Sequence, residues 1–283
     1  MDIEAKSIVL PNKTFNLYKG CSHGCIYCDS RSLCYQIDQF EQVKVKKDAV
    51  TILSKELASK QIKAILKTGG MSDPYVHIEK QLEITKKSLE IIYHYGFGIN
   101  VLTKSNMILR DLKLYEKINK RHKAIVQMTI TTTDDHLAKL IEPNVTLPSD
   151  RLKTLKIFSD SGITTGIWMT PLLPYINDTK ENITSIIKAA SKANVKFIIV
   201  FGFGTTLREG SREYFYQALD EKFPGYRKLY EKTYKNQYIC DSPKALELKR
   251  HFEETCELYN IIYKHDEISE LCAYKPYIQQ SLL

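Results

Sequence analysis

Residues 18–32 read YKGCSHGCIYCDSRS, and within them Cys21, Cys25 and Cys28 stand in a Cys-x3-Cys-x2-Cys spacing directly after a short strand-like run, TFNLYK (14–19). Cysteines so close together hold zinc or an iron–sulfur cluster, form a redox pair, or simply pack. A structural zinc site closes with four ligands, usually as two separated pairs, and no second pair follows here. Cys34, with five residues between it and Cys28, is a doubtful fourth ligand. A redox reading of Cys25 and Cys28 leaves Cys21 unused. Three thiolates from one loop suit a four-iron cluster with one iron left open.

The rest of the composition sets bounds. A chain of 283 residues, 43% apolar and 26% charged, is expected to be soluble and globular with a sizeable core. Seven cysteines, four of them within residues 21–34, make an odd and lopsided set that fits reduced thiols better than a disulfide framework. The opening MDIEAKSIVLPNKTF lacks the pattern of a secretory leader, and no run approaches the roughly 20 apolar residues that span a bilayer. A cytoplasmic location with no membrane partner is the expectation. The net charge of +8 is dispersed among acidic residues, which is weak support for nucleic-acid binding.

Short apolar runs alternate with longer amphipathic ones. Strands are expected at 14–19, 63–68, 98–103, 124–131, 164–170 and 196–201. Helical spacing of Ile78, Leu82, Leu89 and Ile92 predicts a helix over 75–94, and Leu152, Leu155 and Phe158 predict another over 150–160. Strand then helix, repeated, means a parallel sheet, open or closed into a barrel, with its chemistry at the C-terminal strand ends. The notable loops follow those ends: the cysteine stretch, TGGMSDPY, TKSN, TTTDD, TPLLPYIND and GFGTTLREG. The alternation stops after residue 207, so a core over 1–206 and a helical, Tyr-rich extension over 207–283 packed on it are expected.

The cysteine spacing, with the aromatic Tyr27 before the third cysteine, resembles the radical S-adenosylmethionine (SAM) superfamily. SDPY, TKSNMILRDL, TITTTDD, IEP and SGITTG…TPLLP resemble the branch that contains spore photoproduct lyase, over residues 15–175. TLREGSREYFYQALDEKFPGYRKLYEKTY is more similar to uncharacterised lyase-like proteins. The resemblance implies an α/β fold, a partial TIM-like barrel of six strand–helix units. It also implies a 4Fe-4S cluster on Cys21, Cys25 and Cys28, S-adenosylmethionine on the open iron, a 5′-deoxyadenosyl radical, and an external electron donor of flavodoxin or ferredoxin type. A monomer is expected.

It further implies roles for single residues. Gly69 and Gly70 occupy the place of a Gly-Gly-Glu stretch whose backbone meets the cofactor's amine, with Met71 in place of the Glu. The same stretch also reads as a turn with Ser72 or Asp73 as N-cap and Pro74 first in a helix, and Ser72 is placed near the cofactor too. Lys104 would meet the cofactor's carboxylate, or be a surface lysine. Thr129 and Thr131, on one strand face, would reach the ribose or merely suit a strand. Glu142 and Arg151 match a family pair that either touches cofactor or is an ion pair fixing a loop. His23 reads as a loop-shaping hydrogen-bonder. The lyase returns hydrogen to its substrate through a cysteine and a tyrosine, and Gly70 and Asp29 stand in those places here.

Two features resist absorption. Cys240, Cys256 and Cys272 are spaced too widely for a cluster and read mainly as small hydrophobes. Tyr226, Tyr230, Tyr234 and Tyr238 recur every fourth residue among basic side chains, a stripe that packs a helix or stacks bases. The resulting functions are a radical SAM enzyme acting on a nucleotide or nucleic acid, one acting on a peptide or small metabolite, or a non-catalytic iron–sulfur redox sensor.

Overall fold

A computed structural model describes residues 2–273. Its centre is a parallel sheet of five strands, β4 (Ile65–Thr68), β5 (Gly98–Thr103), β6 (Ala124–Thr129), β7 (Thr164–Trp168) and β8 (Phe197–Ile199), hydrogen-bonded in that order. Before it stand β1 (Asp2–Ile3), β2 (Tyr18–Lys19) and β3 (Lys44–Lys46), which form a small sheet of their own. The helices α1 (Ala49–Ala58), α2 (Glu79–Leu82), α3 (Ile84–His94), α4 (Leu112–Arg121), α5 (Asp135–Ile141), α6 (Pro148–Asp160) and α7 (Lys180–Lys192) lie between strands. After β8 come β9 (Gly204–Thr206), α8 (Ser211–Lys222), α9 (Tyr226–Tyr234), β10 (Ile239–Asp241), α10 (Ala245–Leu258) and α11 (His265–Leu271).

The period of two along each strand divides the sheet into two faces. Leu66, Ile99, Val101, Val126, Met128, Ile167 and Ile198 turn to the helices and join one apolar core with Leu53, Leu89, Ile118, Leu155, Phe158 and Ile187. The opposite face carries Lys67, Asn100, Gln127 and Trp168, which border a cavity. The expected α/β architecture is therefore present as an open half-barrel, and the strand ends that lead into loops all lie on one edge.

Six full strands are not. The run 14–19 divides its backbone between two sheets: Phe15 N donates to Lys67 O and Lys67 N to Lys13 O, a single parallel bridge onto β4, and then Tyr18 and Lys19 pair antiparallel with β3. The helix expected over 75–94 is also broken, at Glu83, whose φ is 52°. The cause is Glu79: its buried carboxylate turns back to accept from Thr85 N at 2.9 Å, at the head of α3, and from the guanidinium of Arg110 and the hydroxyl of Tyr18. Asp73 caps only a turn, accepting from Tyr75 N at 2.8 Å.

Beyond β8 the chain is more than helical. β9 and β10 pair antiparallel across the expected 206/207 boundary, and Leu248, Phe252 and Cys256 of α10 belong to the main core. The tyrosine stripe packs rather than stacks. Tyr230 and Tyr234 are buried in a second cluster with Phe215, Tyr216 and the cysteine-loop residues Cys25, Ile26 and Tyr27. The helix stops at Tyr234, so Tyr238 lies outside it, exposed and bonded to Arg208. Tyr230 sets its ring 5.2 Å from Phe215 and its hydroxyl 2.9 Å from the carbonyl of Pro174. Tyr230→Ala is expected to cost about 3–5 kcal/mol of unfolding free energy and Tyr230→Phe about 1–3, read by urea denaturation. Equal losses would mean that the ring contributes nothing to the packing.

Candidate active site

The cysteine loop leaves β2 and folds over the loop edge of the sheet. Gly20, at φ +85°, turns the chain so tightly that a Cβ would lie 2.5 Å from the Phe40 carbonyl. Cys21 N then donates to that carbonyl, Ile26 N to Ile141 O, and Asn144 N to His23 O, so the loop is held by backbone on both flanks. Cys25 is buried; Cys21 and Cys28 are half-buried; all three are free thiols. Burial, then Asp73, pushes the Cys21 thiol up to about 12, and burial raises Cys25 despite the opposing ammonium of Lys104. A metal binding here must therefore displace protons. Among the described residues no three His, Cys, Asp or Glu side chains converge as a single-ion site.

Two buried carboxylates position what surrounds the thiols. Glu142, 3% exposed, accepts from the Tyr27 hydroxyl and from the Arg151 guanidinium. Arg151 is fully buried, and its other nitrogens donate at 2.6 Å to the carbonyls of Thr129 and Thr146. Burial opposes the charge on Glu142, but Arg151 and Lys104 hold its carboxyl below the ordinary range. Every nitrogen of Arg151 thus has a protein acceptor, and the hydroxyl of Tyr27 is spent on Glu142. Asp73 is the second hub. It accepts from Thr103 Oγ1 at 2.7 Å, Lys104 N at 2.8 Å and Tyr75 N, and lies 3.6 Å from His23 Nδ1.

The remaining expected residues gather on the same edge. Gly69 has φ +102°, and a Cβ there would lie 1.9 Å from the Leu102 carbonyl, so close strand approach demands glycine. Gly70 is different: a Cβ would meet nothing within 4 Å, and Gly70 borders the cavity. The hydroxyl of Ser72 donates to the carbonyl of Gly20, tying the β4 loop to the cysteine loop. Lys104 is half-buried, with Nζ 5.7 Å from the Tyr27 ring centroid and no hydrogen-bond or ion-pair partner among the described residues. Burial would pull its ammonium down, yet Cys25, Glu142 and Asp73 carry it above the ordinary value. Thr129 and Thr131 are both buried, and Thr131 Oγ1 has no partner.

These observations fit an anionic, hydrogen-bonding guest next to the thiols: an unpaired ammonium, an orphaned buried hydroxyl and an open backbone at Gly70. Asp29 turns elsewhere. Its carboxylate accepts from Tyr35 at 3.0 Å and faces Arg208 at 3.6 Å, fastening the cysteine loop to the segment after β9. Cys240 and Cys256 are fully buried, apart from each other's clusters, whereas Cys272 borders the cavity. Asp73 is legible in the sequence only as a cap, and Lys67, Asn100, Gln127 and Trp168 belong to no motif there. The available signal was polar residues at alternate positions of otherwise apolar parallel strands.

Residues 15–183 match the radical SAM superfamily. An uncharacterised protein of Methanocaldococcus jannaschii is 30% identical over 186 residues, 63% of this chain and 69% of that one. An uncharacterised protein of Mycobacterium tuberculosis is 26% identical over 230 residues, 77% of this chain and 67% of that one. Among solved structures, spore photoproduct lyase complexed with dinucleoside spore photoproduct aligns with a TM-score of 0.64 at 14% identity, over 89% of this chain and 73% of that one. That likeness is one of fold.

Arg151→Ala would strand a buried carboxylate, and is expected to cost about 3–5 kcal/mol in chemical denaturation of the iron-free protein. Lys104→Met, which breaks no protein hydrogen bond of the ammonium, is expected to cost much less. The reverse order would show that Lys104, not Arg151, holds the site together.

Proposed function

The chain belongs to the radical SAM superfamily, and on that premise we propose that it is an enzyme that opens a C–H bond of its substrate, a nucleotide or nucleic acid being the expected class. When bound, a 4Fe-4S cluster with S-adenosylmethionine supplies electron-driven cleavage to methionine and a 5′-deoxyadenosyl radical. The observation that carries the reading is the meeting of three free thiols with an unpaired ammonium and a bare glycine backbone on one sheet edge.

Cys21, Cys25 and Cys28 would hold the cluster through their three thiolates. Lys104 would bind the cofactor's carboxylate by a charge-assisted hydrogen bond, and Asp73, through the Lys104 backbone N–H, sets where that side chain starts. Gly70, held in place by the close approach of Gly69 to β5, would let the cofactor reach the strand-end backbone, while Thr131 and Thr129 would offer hydroxyls to its ribose. Ser72, Tyr27 and Arg151 act as positioning residues for the loops around the site. An electron donor of flavodoxin or ferredoxin type serves a monomer in the cytoplasm. The catalytic core is assigned to the chain up to residue 206, with the described residues 207–273 packed on it. Among the described residues no helix is long and apolar enough to cross a membrane.

Repair of spore photoproduct is not the expected reaction. Gly70 offers no side-chain hydrogen, and Asp29 is engaged by Tyr35 and Arg208 on the side of the loop that faces the later segment. A carboxylate also gives up a hydrogen atom far less readily than a phenol.

Anaerobically reconstituted protein is expected to carry about four irons per chain, and the Cys21/Cys25/Cys28→Ala variant none. Retention of iron by that variant would refute the assignment. Lys104→Ala should weaken S-adenosylmethionine binding by about 1.5–3 kcal/mol in calorimetric titration, and an unchanged affinity would remove Lys104 from the site. Reduced enzyme given a dinucleotide spore photoproduct should yield no thymidylyl-thymidine over multiple turnovers; clean turnover would restore lyase activity as the function.

A further inference from the structure

The sheet face turned away from the helices borders a cavity of about 850 Å³. Four neighbouring strands present Lys67, Asn100, Gln127 and Trp168 to it, Ile268 of α11 closes one side, and Gly70 joins it to the candidate cofactor loop. The polar groups of this wall are ordered. The indole N–H of Trp168 donates to Gln127 Oε1, and Gln127 Nε2 donates to Asn100 Oδ1, a relay across three strands that fixes the indole plane. Phe201 meets that indole edge-on at 5.0 Å between centroids and is 63% exposed. Uncovered aromatic surface at a cavity rim is surface that a flat ring would take out of water.

Among the described residues the charge at the cavity has one sign: no Asp or Glu borders it, whereas Lys67 does, exposed and with no hydrogen-bond or ion-pair partner, and the one other titratable base there is His265 of α11. A cationic guest would meet Lys67 without a carboxylate to answer it. A neutral guest would leave the ammonium unused. An anion gains a charge-assisted contact while its ring packs on the aromatic pair.

We infer that the substrate of this chamber is a planar aromatic molecule bearing an anionic group, its ring packed on Trp168 and Phe201 and its anion held by Lys67; this rests on the proposed catalytic reading of the adjoining loop. The anion is the carboxylate of an aromatic acid or the phosphate of a nucleotide, and Lys67 is the residue that selects it.

Trp168 is the only tryptophan of the 283-residue chain, so its emission reports on the cavity alone. Two matched pairs of probes separate charge from ring: 3-phenylpropionate against phenethylamine, and thymidine 5′-phosphate against thymidine. In reconstituted, unreduced protein with S-adenosylmethionine, at least one anion is expected to change Trp168 emission saturably and to bind about tenfold tighter than its partner. The pair that shows the preference identifies carboxylate or phosphate. Lys67→Met is expected to erase the preference while the thermal midpoint stays unchanged. No preference in either pair, or one that survives Lys67→Met, overturns the inference. The same titration of iron-free protein keeps the two readings apart: a charge preference in a protein that never assembles a cluster would contradict only the catalytic reading, and a full cluster with no preference only this one.

Discussion

The site depends on one buried carboxylate. Glu142 sits in the interior beneath the cysteine loop, where an unpaired charge would be prohibitive, and Arg151 and Tyr27 make it tolerable. Because Arg151 also holds the carbonyls of Thr129 and Thr146, this network joins the cysteine loop, the end of β6 and the loop before α6. Such a network is poor evidence for net stability, since well-packed apolar groups would serve as well. What it supplies is register: Cys25 and Lys104 lie within its field, so the same carboxylate that anchors the loop helps keep the ammonium charged.

Around that anchor the sheet separates packing from chemistry. Parallel strands are usually buried and apolar on both faces; the helix-facing side obeys throughout, whereas on the other only part is apolar, with Ile65, Ile125 and Phe197 buried against Ile268 of α11. Beside that apolar patch the same side carries an ordered amide–indole relay, and Lys67 borders the cavity there. Asp73 links the two halves of the arrangement, since it binds the end of β5 through Thr103 and Lys104 and approaches His23 in the cysteine loop. The later segment completes the enclosure: Tyr230 and Tyr234 pack behind the cysteine loop, and α11 closes the cavity.

Local signals were legible in the sequence, and long-range ones were not. Cysteine spacing and the alternation of short and long apolar periods sufficed for the cluster candidates and the parallel sheet. The strand at 14–19 failed because its residues have the right composition, but their hydrogen-bond partners, Lys67 and β3, are set by tertiary packing. The helix over 75–94 failed for a related reason: period alone cannot reveal that Glu79 is buried and turns back on Thr85. Asp73 and Glu142 act as hubs through partners 30 or more residues away, as with Asp73 and Thr103, or Tyr27 and Glu142. The tyrosine stripe predicted packing correctly for Tyr230 and Tyr234, but Lys235, at φ 50°, ends the helix before Tyr238.

The central claim is that the three thiols leave one iron open to S-adenosylmethionine beside Lys104. Electron–nuclear double resonance of the reduced, reconstituted protein with S-adenosylmethionine labelled with nitrogen-15 at its amine tests it directly. The account predicts a nitrogen-15 hyperfine coupling to the cluster spin that vanishes in the Cys21/Cys25/Cys28→Ala variant along with the cluster itself. A reduced cluster that forms and binds the cofactor, yet shows no such coupling, would contradict it.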